Sequence, residues 1–177
     1  ATSGAAWVAD DTPSEPPPPA GGAVHVAFSF HVNYAHAARS DDATEDGFGQ
    51  DIWLITGVLD ALDARPAFRA DWDIDVHGTL EGAMAASSPE LLARIQRRVN
   101  DGVDDVRIAS WHDGLMSGHS REEFDASIDR AKSSIDAAFS RRVPGVQPSG
   151  DVTAPEHLAW YAAHDIEWIT LFYGANG

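Results

Sequence analysis

The sequence contains no cysteine among its 177 residues. Disulfide bonds, thiolate zinc sites and cysteine nucleophiles are therefore excluded, and any metal would need His, Asp or Glu ligands. Basic residues are scarce, with 12 Lys and Arg against 28 Asp and Glu and a net charge of −16. We expect neither nucleic acid nor membrane as a partner, because both favour a basic surface. No apolar run approaches the roughly 20 residues of a transmembrane helix.

The acidic excess fits either a protein kept soluble in high salt or an ordinary acidic surface. Near the amino terminus, PSEPPPPAGG can neither pair as a central strand nor continue a helix. We predict a disordered, acidic, Pro-rich tail or linker over residues 1–22 and one folded domain over residues 23–177, itself complete or part of a larger domain. Such a tail is typical of an exported chain, so we expect an extracellular or cell-surface location, with a cytoplasmic one as the alternative. No feature predicts an oligomeric state.

From Ala23 onward, strand-like runs alternate with amphipathic helical runs. The predicted strands cover residues 24–30, 67–76, 106–110, 144–150 and 166–174, and the predicted helices cover residues 51–66, 87–102, 120–142 and 154–165. This alternation is typical of βα units around a parallel sheet. The fold class we predict is α/β: a (β/α)7-type barrel, or an incomplete or trimmed version of one, with parallel strands and covering helices.

Several local signals support these elements. Ser88 followed by Pro89 predicts a helix start, and Ser120 with Glu123 predicts a capping box. In the second strand, apolar residues alternate with Asp71, Asp73 and Asp75. That carboxylate face is either an inward face of a barrel that binds a polar ligand or the solvated face of an edge strand.

Polar side chains collect where the predicted strands end. They are His31, Asn33 and His36; Asp73, Asp75 and His77; His112, Asp113 and His119; and Gln147, Ser149 and Asp151. In parallel α/β folds, sites form at the carboxyl ends of the strands, so these residues are predicted to share one edge. A blander alternative is a structural domain whose strand ends are merely solvated. For His25, His157 and His164 we favour structural, hydrogen-bonded roles.

Imidazoles and carboxylates suit a sugar, whose hydroxyls need both donors and acceptors. Trp72 and Trp111 lie beside these loops and offer apolar faces for stacking on sugar rings. Hydrolysis of a glycoside ordinarily requires two carboxyl groups that flank the bond. Hydrolysis of an acetyl group would instead use a metal-activated water with His and Asp ligands.

The segment FSFHVNYAH resembles the first-strand motif of glycoside hydrolase family 57, an apolar strand that ends in His, any residue, and then His or Asn. The later segments GTLEGAM, ASWHDGLMSGHSREEFDASI and PGVQPSGDVTAPEHLAWYAAHDIEWITL follow in a similar order. The resemblance implies a carbohydrate-active hydrolase that acts on glycosidic bonds of a polysaccharide or oligosaccharide. The family's nucleophile is a Glu after the fourth strand, and Gly150 or Asp151 stands there. Its catalytic acid is an Asp on a later strand, which the sequence does not reach.

On this interpretation we expect no cofactor and a carbohydrate substrate. The candidate catalytic residues are Asp151 and His112, and the candidate substrate-binding residues are His31, Asn33, Asp75, His77, Trp111, Asp113 and His119.

Two alternatives stay open. The same architecture resembles that of metal-dependent carbohydrate deacetylases, whose metal would fall to His31, His112 and His119. Such enzymes carry an Asp-Asp pair where this chain has His31-Val32-Asn33, and their paired histidines are closer together than His112 and His119. The third interpretation is a degenerate barrel that binds a glycan without cleaving it.

Overall fold

In a computed structural model of the protein, the described residues are 28–34, 39–42, 44, 46–112, 114–151 and 153–171. The predicted tail lies outside them. The described strands are β1 (Phe28–Val32), β2 (Ala70–Ile74), β3 (Asp105–Ile108), β4 (Gly145–Val146) and β5 (Trp168–Ile169). The helices are α1 (Gly49–Asp63), α2 (Met84–Ser87), α3 (Pro89–Asn100), α4 (Arg121–Phe139) and α5 (His157–Ala163).

The strands form one sheet in the order β1-β2-β3-β4-β5, and every pairing is parallel. Helices follow the strands as crossovers, which confirms the predicted α/β class. The register pairs His31 with Asp73 and Asp73 with Arg107. Because paired residues of neighbouring strands present their side chains to the same face, these three lie side by side across the sheet.

The opposite face of the sheet carries the hydrophobic core. Its fully buried strand residues include Trp72, Ile74, Ile108 and Val146, and the helices contribute Leu59, Ile95, Val99, Ile128, Ile135 and Phe139. α1, α3 and α4 each pack one apolar stripe into this core, as expected for amphipathic helices. Of the described helices, none is both long and apolar enough to cross a membrane.

The predicted helix starts are found in the structure. Ser120 and Glu123 form the complete capping box of α4. Ser88 occupies the N-cap position of α3, but its side chain makes no capping hydrogen bond. Its hydroxyl lies 3.2 Å from the Tyr34 hydroxyl instead, which ties α3 to the end of β1.

Some elements differ from the prediction. β1 runs to Val32, while β4 and β5 have two residues each. Pro148 has no N–H for a ladder, and Gly150 has φ of 69°, so the chain leaves the sheet early after β4. A π-helix over Val76–Ala83 directly follows β2 and was not predicted.

The carboxylate face of the second strand is not the face of an edge strand. β2 lies between β1 and β3, and Asp73 and Asp75 are only 5% and 2% exposed. The edge-strand alternative is therefore wrong, because the register places these carboxylates within the sheet rather than at its border.

Candidate functional site

A polar cavity of about 360 Å³ lies on the sheet face opposite the core, towards the carboxyl ends of the strands. We call it the inner-face cavity, and its lining residues are Ser29, His31, Asp73, Arg107, Ala109, Gln147, Pro148, Ser149 and Gly150. β1, β2 and β3 supply the first of these residues, and the turn after β4 supplies the last four.

His31 and Asp73 form a pair at the wall of this cavity. The Nδ1–H of His31 donates to Asp73 Oδ2 over 2.8 Å, and the side chains are 52% and 6% exposed, respectively. The imidazole thus faces the cavity while the carboxylate behind it is buried. Asp73 Oδ1 is also buried, and it has no hydrogen-bond partner among the described residues.

Arg107 crosses the middle of the inner face and is 2% exposed. Its Nε lies 2.6 Å from Asp71 Oδ2, an ion pair in which the N–H is not aligned for a hydrogen bond. Its terminal nitrogens donate to Ser29, Gln147 and Thr170, which lie on or beside three other strands. Arg107 therefore holds β1, β4 and β5 around β3.

Burial raises the pKa of Asp71 to about 6, although the guanidinium of Arg107 acts in the opposite direction. The neighbouring carboxylates of Asp105 and Asp73 add to the rise. The inner face thus combines one buried cation with several carboxyl groups at close range.

Three predicted site residues, Trp111, His112 and His119, line a different cavity of about 270 Å³ beside α4. We call it the α4-side cavity, and its other lining residues are Gly114, Glu123, Ala126, Ser127 and Arg130. His77 joins this group, since its ring stacks on Trp111 at 4.9 Å and meets His112 edge-on at 5.0 Å. The structure thus divides the predicted set between two cavities, with His31 in the inner-face cavity.

Two other predicted residues lie near the strand ends. Asp75 Oδ2 accepts a hydrogen bond from the Thr79 backbone N–H over 3.0 Å, so this buried carboxylate caps the π-helix that carries His77. Asn33 is half-buried directly after β1.

The backbone of Asp151 ends a short 3-10 helix, Ser149–Asp151, whose first two residues line the inner-face cavity. Gly150 has a left-handed backbone, and a β-carbon there would lie 2.9 Å from Leu115 Cδ2. Of the two positions proposed for a nucleophile, only Asp151 carries a carboxyl group. Asp113 and His36 lie outside the described residues.

His157 and His164 occupy structural positions. His157 is buried against Phe124 and Trp160. His164 bonds to Asp129 through Nδ1 and to Asp125 through Nε2, at 2.8 and 2.7 Å, which joins the end of α5 to α4.

The described residues do not provide a metal site. In that part of the chain, no group of three or more His, Asp or Glu side chains is placed to hold an ion. The three histidines considered for a deacetylase metal are described, and they are divided between the two cavities. This geometry does not fit a shared metal.

Of the polar residues that line the inner-face cavity, the sequence prediction missed Arg107 and Ser29. A signal for Arg107 was present: in VRIAS it alternates with Val106 and Ile108, which places it on the face opposite the core. Whether Arg107 lies beside the carboxylates of β2 depends on the register between β2 and β3. The residue pattern of a single strand does not contain that information.

The fold is shared with solved structures of carbohydrate-active proteins. A 4-alpha-glucanotransferase from Thermococcus litoralis matches with a TM-score of 0.63 at 15% identity, over 82% of this chain and 22% of that protein. A CE4 family pseudoenzyme from Bacillus anthracis has a TM-score of 0.56 at 14% identity, over 81% and 42%. A family 4 carbohydrate esterase from Streptomyces lividans, in complex with acetate, has a TM-score of 0.54 at 17% identity, over 82% and 62%.

These identities show a common fold and nothing finer. The chain spans less than two thirds of the length of each of these proteins. No protein-family model matches the chain, and no curated protein sequence matches it. The chain therefore shares the α/β fold of these proteins, which include a glucanotransferase and a carbohydrate esterase.

Proposed function

We propose that this chain is a carbohydrate-active domain that binds a saccharide in the inner-face cavity and hydrolyses a glycosidic bond there. The observation that carries the proposal is the Asp73 carboxylate, which lines the cavity, is almost fully buried and has one oxygen that receives no hydrogen bond from the described residues. A buried acceptor without a donor costs roughly 1–3 kcal/mol, and such exceptions call for a functional explanation.

The lining of the cavity suits sugar hydroxyls. Asp73 offers acceptor oxygens, and Gln147, Ser149 and the imidazole of His31 can donate or accept. A hydroxyl group donates one hydrogen bond and accepts others, so a mixed lining matches it better than a lining of one charge. The volume of about 360 Å³ lies within the range of small-molecule sites.

Hydrolysis requires two carboxyl groups across the scissile bond. Asp73 lies on β2, and Asp151 follows the turn after β4. β3 separates β2 from β4, and neighbouring strands lie about 4.8 Å apart, so β2 and β4 run about 10 Å apart. We propose Asp73 and Asp151 as the carboxyl pair, with His31 holding Asp73 in place.

Deacetylation is the second candidate, because a CE4 family pseudoenzyme and a family 4 carbohydrate esterase also share the fold, at TM-scores of 0.56 and 0.54 against 0.63 for the glucanotransferase. That chemistry uses a metal-bound water. We place hydrolysis first, since the described residues do not group His31, His112 and His119 into a metal site. Stoichiometric zinc binding that is lost in both His31→Ala and His112→Ala would reverse this order.

The test measures binding and turnover separately. Wild type is titrated with maltoheptaose and chitohexaose by calorimetry, and released reducing ends are measured with the same ligands. Asp73→Asn is expected to weaken binding at least ten-fold, and Asp151→Asn to abolish turnover while binding persists. Asp101→Asn, an exposed position after α3, is the matched control and is expected to change neither.

Each outcome has a defined reading. Binding without turnover by the wild type supports the third interpretation, a glycan-binding domain, and overturns the hydrolase. Absence of binding to any saccharide overturns the proposal as a whole.

A further inference from the structure

The α4-side cavity is separate from the proposed catalytic site, yet its lining is that of a ligand site. Trp111 and Ala126 supply apolar surface, while His112, His119, Glu123 and Arg130 place polar groups around it. Small-molecule sites typically combine mostly apolar walls with a few polar groups. Sugar rings fit such walls, because their C–H faces pack on aromatic rings while their hydroxyls bond at the edges.

Trp111 is held rigidly at this site. Its backbone N–H donates to Ser127 Oγ on α4 over 3.1 Å, and its carbonyl accepts from the His77 N–H over 3.1 Å. The His77 ring covers one side of the indole at 4.9 Å, with 29° between the planes. The platform is therefore fixed before any ligand arrives, which lowers the entropic cost of binding.

The polar groups around this platform retain hydrogen-bonding capacity. The guanidinium of Arg130 lies 5.9 Å from the Trp111 ring, and its only described contact here is this cation–π interaction. His119 Nδ1 is buried and finds no hydrogen-bond partner within the described part of the chain. A bound sugar would supply hydroxyls to such groups.

The two cavities lie at the same edge of the sheet. Ala109 lines the inner-face cavity and Trp111 lines the α4-side cavity, so one residue separates these two wall residues, which lie at most about 7 Å apart along an extended chain. Between them, Ser110 shares a hydrogen bond of 2.9 Å with Ser149 of the inner-face wall. A glycan of several sugar units is longer than this separation.

We infer that the α4-side cavity is a second saccharide subsite, which receives a further sugar unit of the glycan held in the inner-face cavity. This inference rests on the proposed function. It adds that saccharide affinity rises with the length of the glycan and that contact with Trp111 supplies this increase in affinity. It also adds that the protein acts on extended glycans rather than on single sugars.

The experiment measures dissociation constants for a short and a long ligand of each series: maltose and maltoheptaose, and chitobiose and chitohexaose. The proteins are wild type, Trp111→Ala, His112→Ala and Trp53→Ala. Trp53 lies on α1, is 76% exposed and contacts neither cavity, so it is the matched control. Trp111→Ala is expected to lower the affinity for the long ligand about ten-fold and to leave the affinity for the short ligand within two-fold of wild type. His112→Ala is expected to act in the same direction, and Trp53→Ala to behave as wild type.

The outcomes separate the two proposals. If wild type binds short and long ligands with equal affinity, the second subsite is wrong while the inner-face proposal stands. The same holds if Trp111→Ala and His112→Ala keep the full increase in affinity for the long ligand. If Trp111→Ala weakens both ligands equally and melts with wild-type cooperativity, Trp111 belongs to the first site and the inference is also wrong. If wild type binds none of the ligands, both proposals fail. His112→Ala decides the question if Trp111→Ala does not fold.

Discussion

Two buried aspartates, Asp104 and Asp73, occupy opposite ends of the sheet and differ in how fully they are bonded. Asp104, just before β3, is 1% exposed, and each of its oxygens accepts two hydrogen bonds. The donors are the Ala70 N–H, the Trp72 indole N–H and the guanidinium of Arg98. Asp73, near the end of β2, is 5% exposed, and one of its oxygens lacks a partner in the described structure.

The difference separates stability from binding. Burial acts to raise the pKa of Asp104, but the hydrogen bonds from Arg98, Trp72 and Ala70 outweigh it and lower that pKa. Asp104 is therefore a stable anion that joins β2, β3 and α3. Asp73 keeps acceptor capacity at a cavity wall. In barrels of parallel strands, residues at the amino ends of the strands serve stability and those at the carboxyl ends carry function. The role proposed for Asp73 follows that division.

Removal of Asp104 is expected to have the largest effect on stability. Asp104→Ala removes the carboxylate that accepts two hydrogen bonds from the half-buried Arg98, and it leaves the Ala70 N–H and the Trp72 indole N–H without acceptors. The free energy of unfolding should fall by about 3–5 kcal/mol, as measured by urea denaturation. Asp105→Ala, at the neighbouring exposed position, should cost less than about 0.5 kcal/mol. Equal losses in the two variants would contradict the structural role of Asp104.

The raised pKa of Asp71 makes stability depend on pH. The Asp71 carboxyl group has a pKa of about 6 in the folded protein, whereas the ordinary value is 3.8. Between these pH values the folded state therefore binds more protons than the unfolded state. Stability that Asp71 confers is thus present at low pH and lost as pH rises from about 4 to about 6. Relative to Asp71→Asn, the wild-type unfolding free energy should fall by about 1–3 kcal/mol across this range. A difference that is flat or rises with pH would contradict the burial effect.

Substitution of Asp73 should affect binding more than folding. Asp73→Asn removes a buried charge, but its amide oxygen can still accept the hydrogen bond from His31. The free energy of unfolding should therefore change by less than about 1 kcal/mol. Saccharide affinity should fall at least ten-fold, which is about 1.4 kcal/mol of binding free energy. Calorimetry and urea denaturation of the same samples measure both. A stability loss similar to that of Asp104→Ala would make Asp73 a structural residue.

The capping box of α4 gives the smallest expected effect. Ser120→Ala removes the hydroxyl that caps the Glu123 N–H and should cost about 1 kcal/mol in thermal or urea unfolding. Saccharide affinity should stay unchanged, because Ser120 lines neither cavity. A ten-fold loss of affinity would show that the helix start also positions a ligand group.

Most of the fold could be predicted because its signals are local. The apolar spacing of α1, the Ser88-Pro89 start of α3 and the Ser120–Glu123 box each specify an element within a few residues of sequence. The π-helix after β2 has no such signal, since it depends on the buried Asp75 carboxylate that caps it. The shortness of β4 and β5 likewise follows from pairing partners rather than from composition.

The site was only partly predictable. His31, His77 and His112 each lie at or after the end of a strand, but sequence position does not tell on which side of β3 each side chain lies. The register is also what places Arg107 beside Asp71 and Asp73. The roles of all these residues in binding and catalysis, and the export of the chain, stay predictions.

The most direct measurement of the central claim is a ¹H–¹⁵N correlation spectrum of the wild-type protein titrated with maltoheptaose and, separately, with chitohexaose. With at least one ligand, saturable shifts are predicted at the backbone amides of Ser29, His31, Ser149 and Gly150, which surround the inner-face cavity. The amides of α1 should not move. Spectra without change for both ligands, or shifts confined to residues outside that cavity, would contradict a saccharide site on the inner face of the sheet.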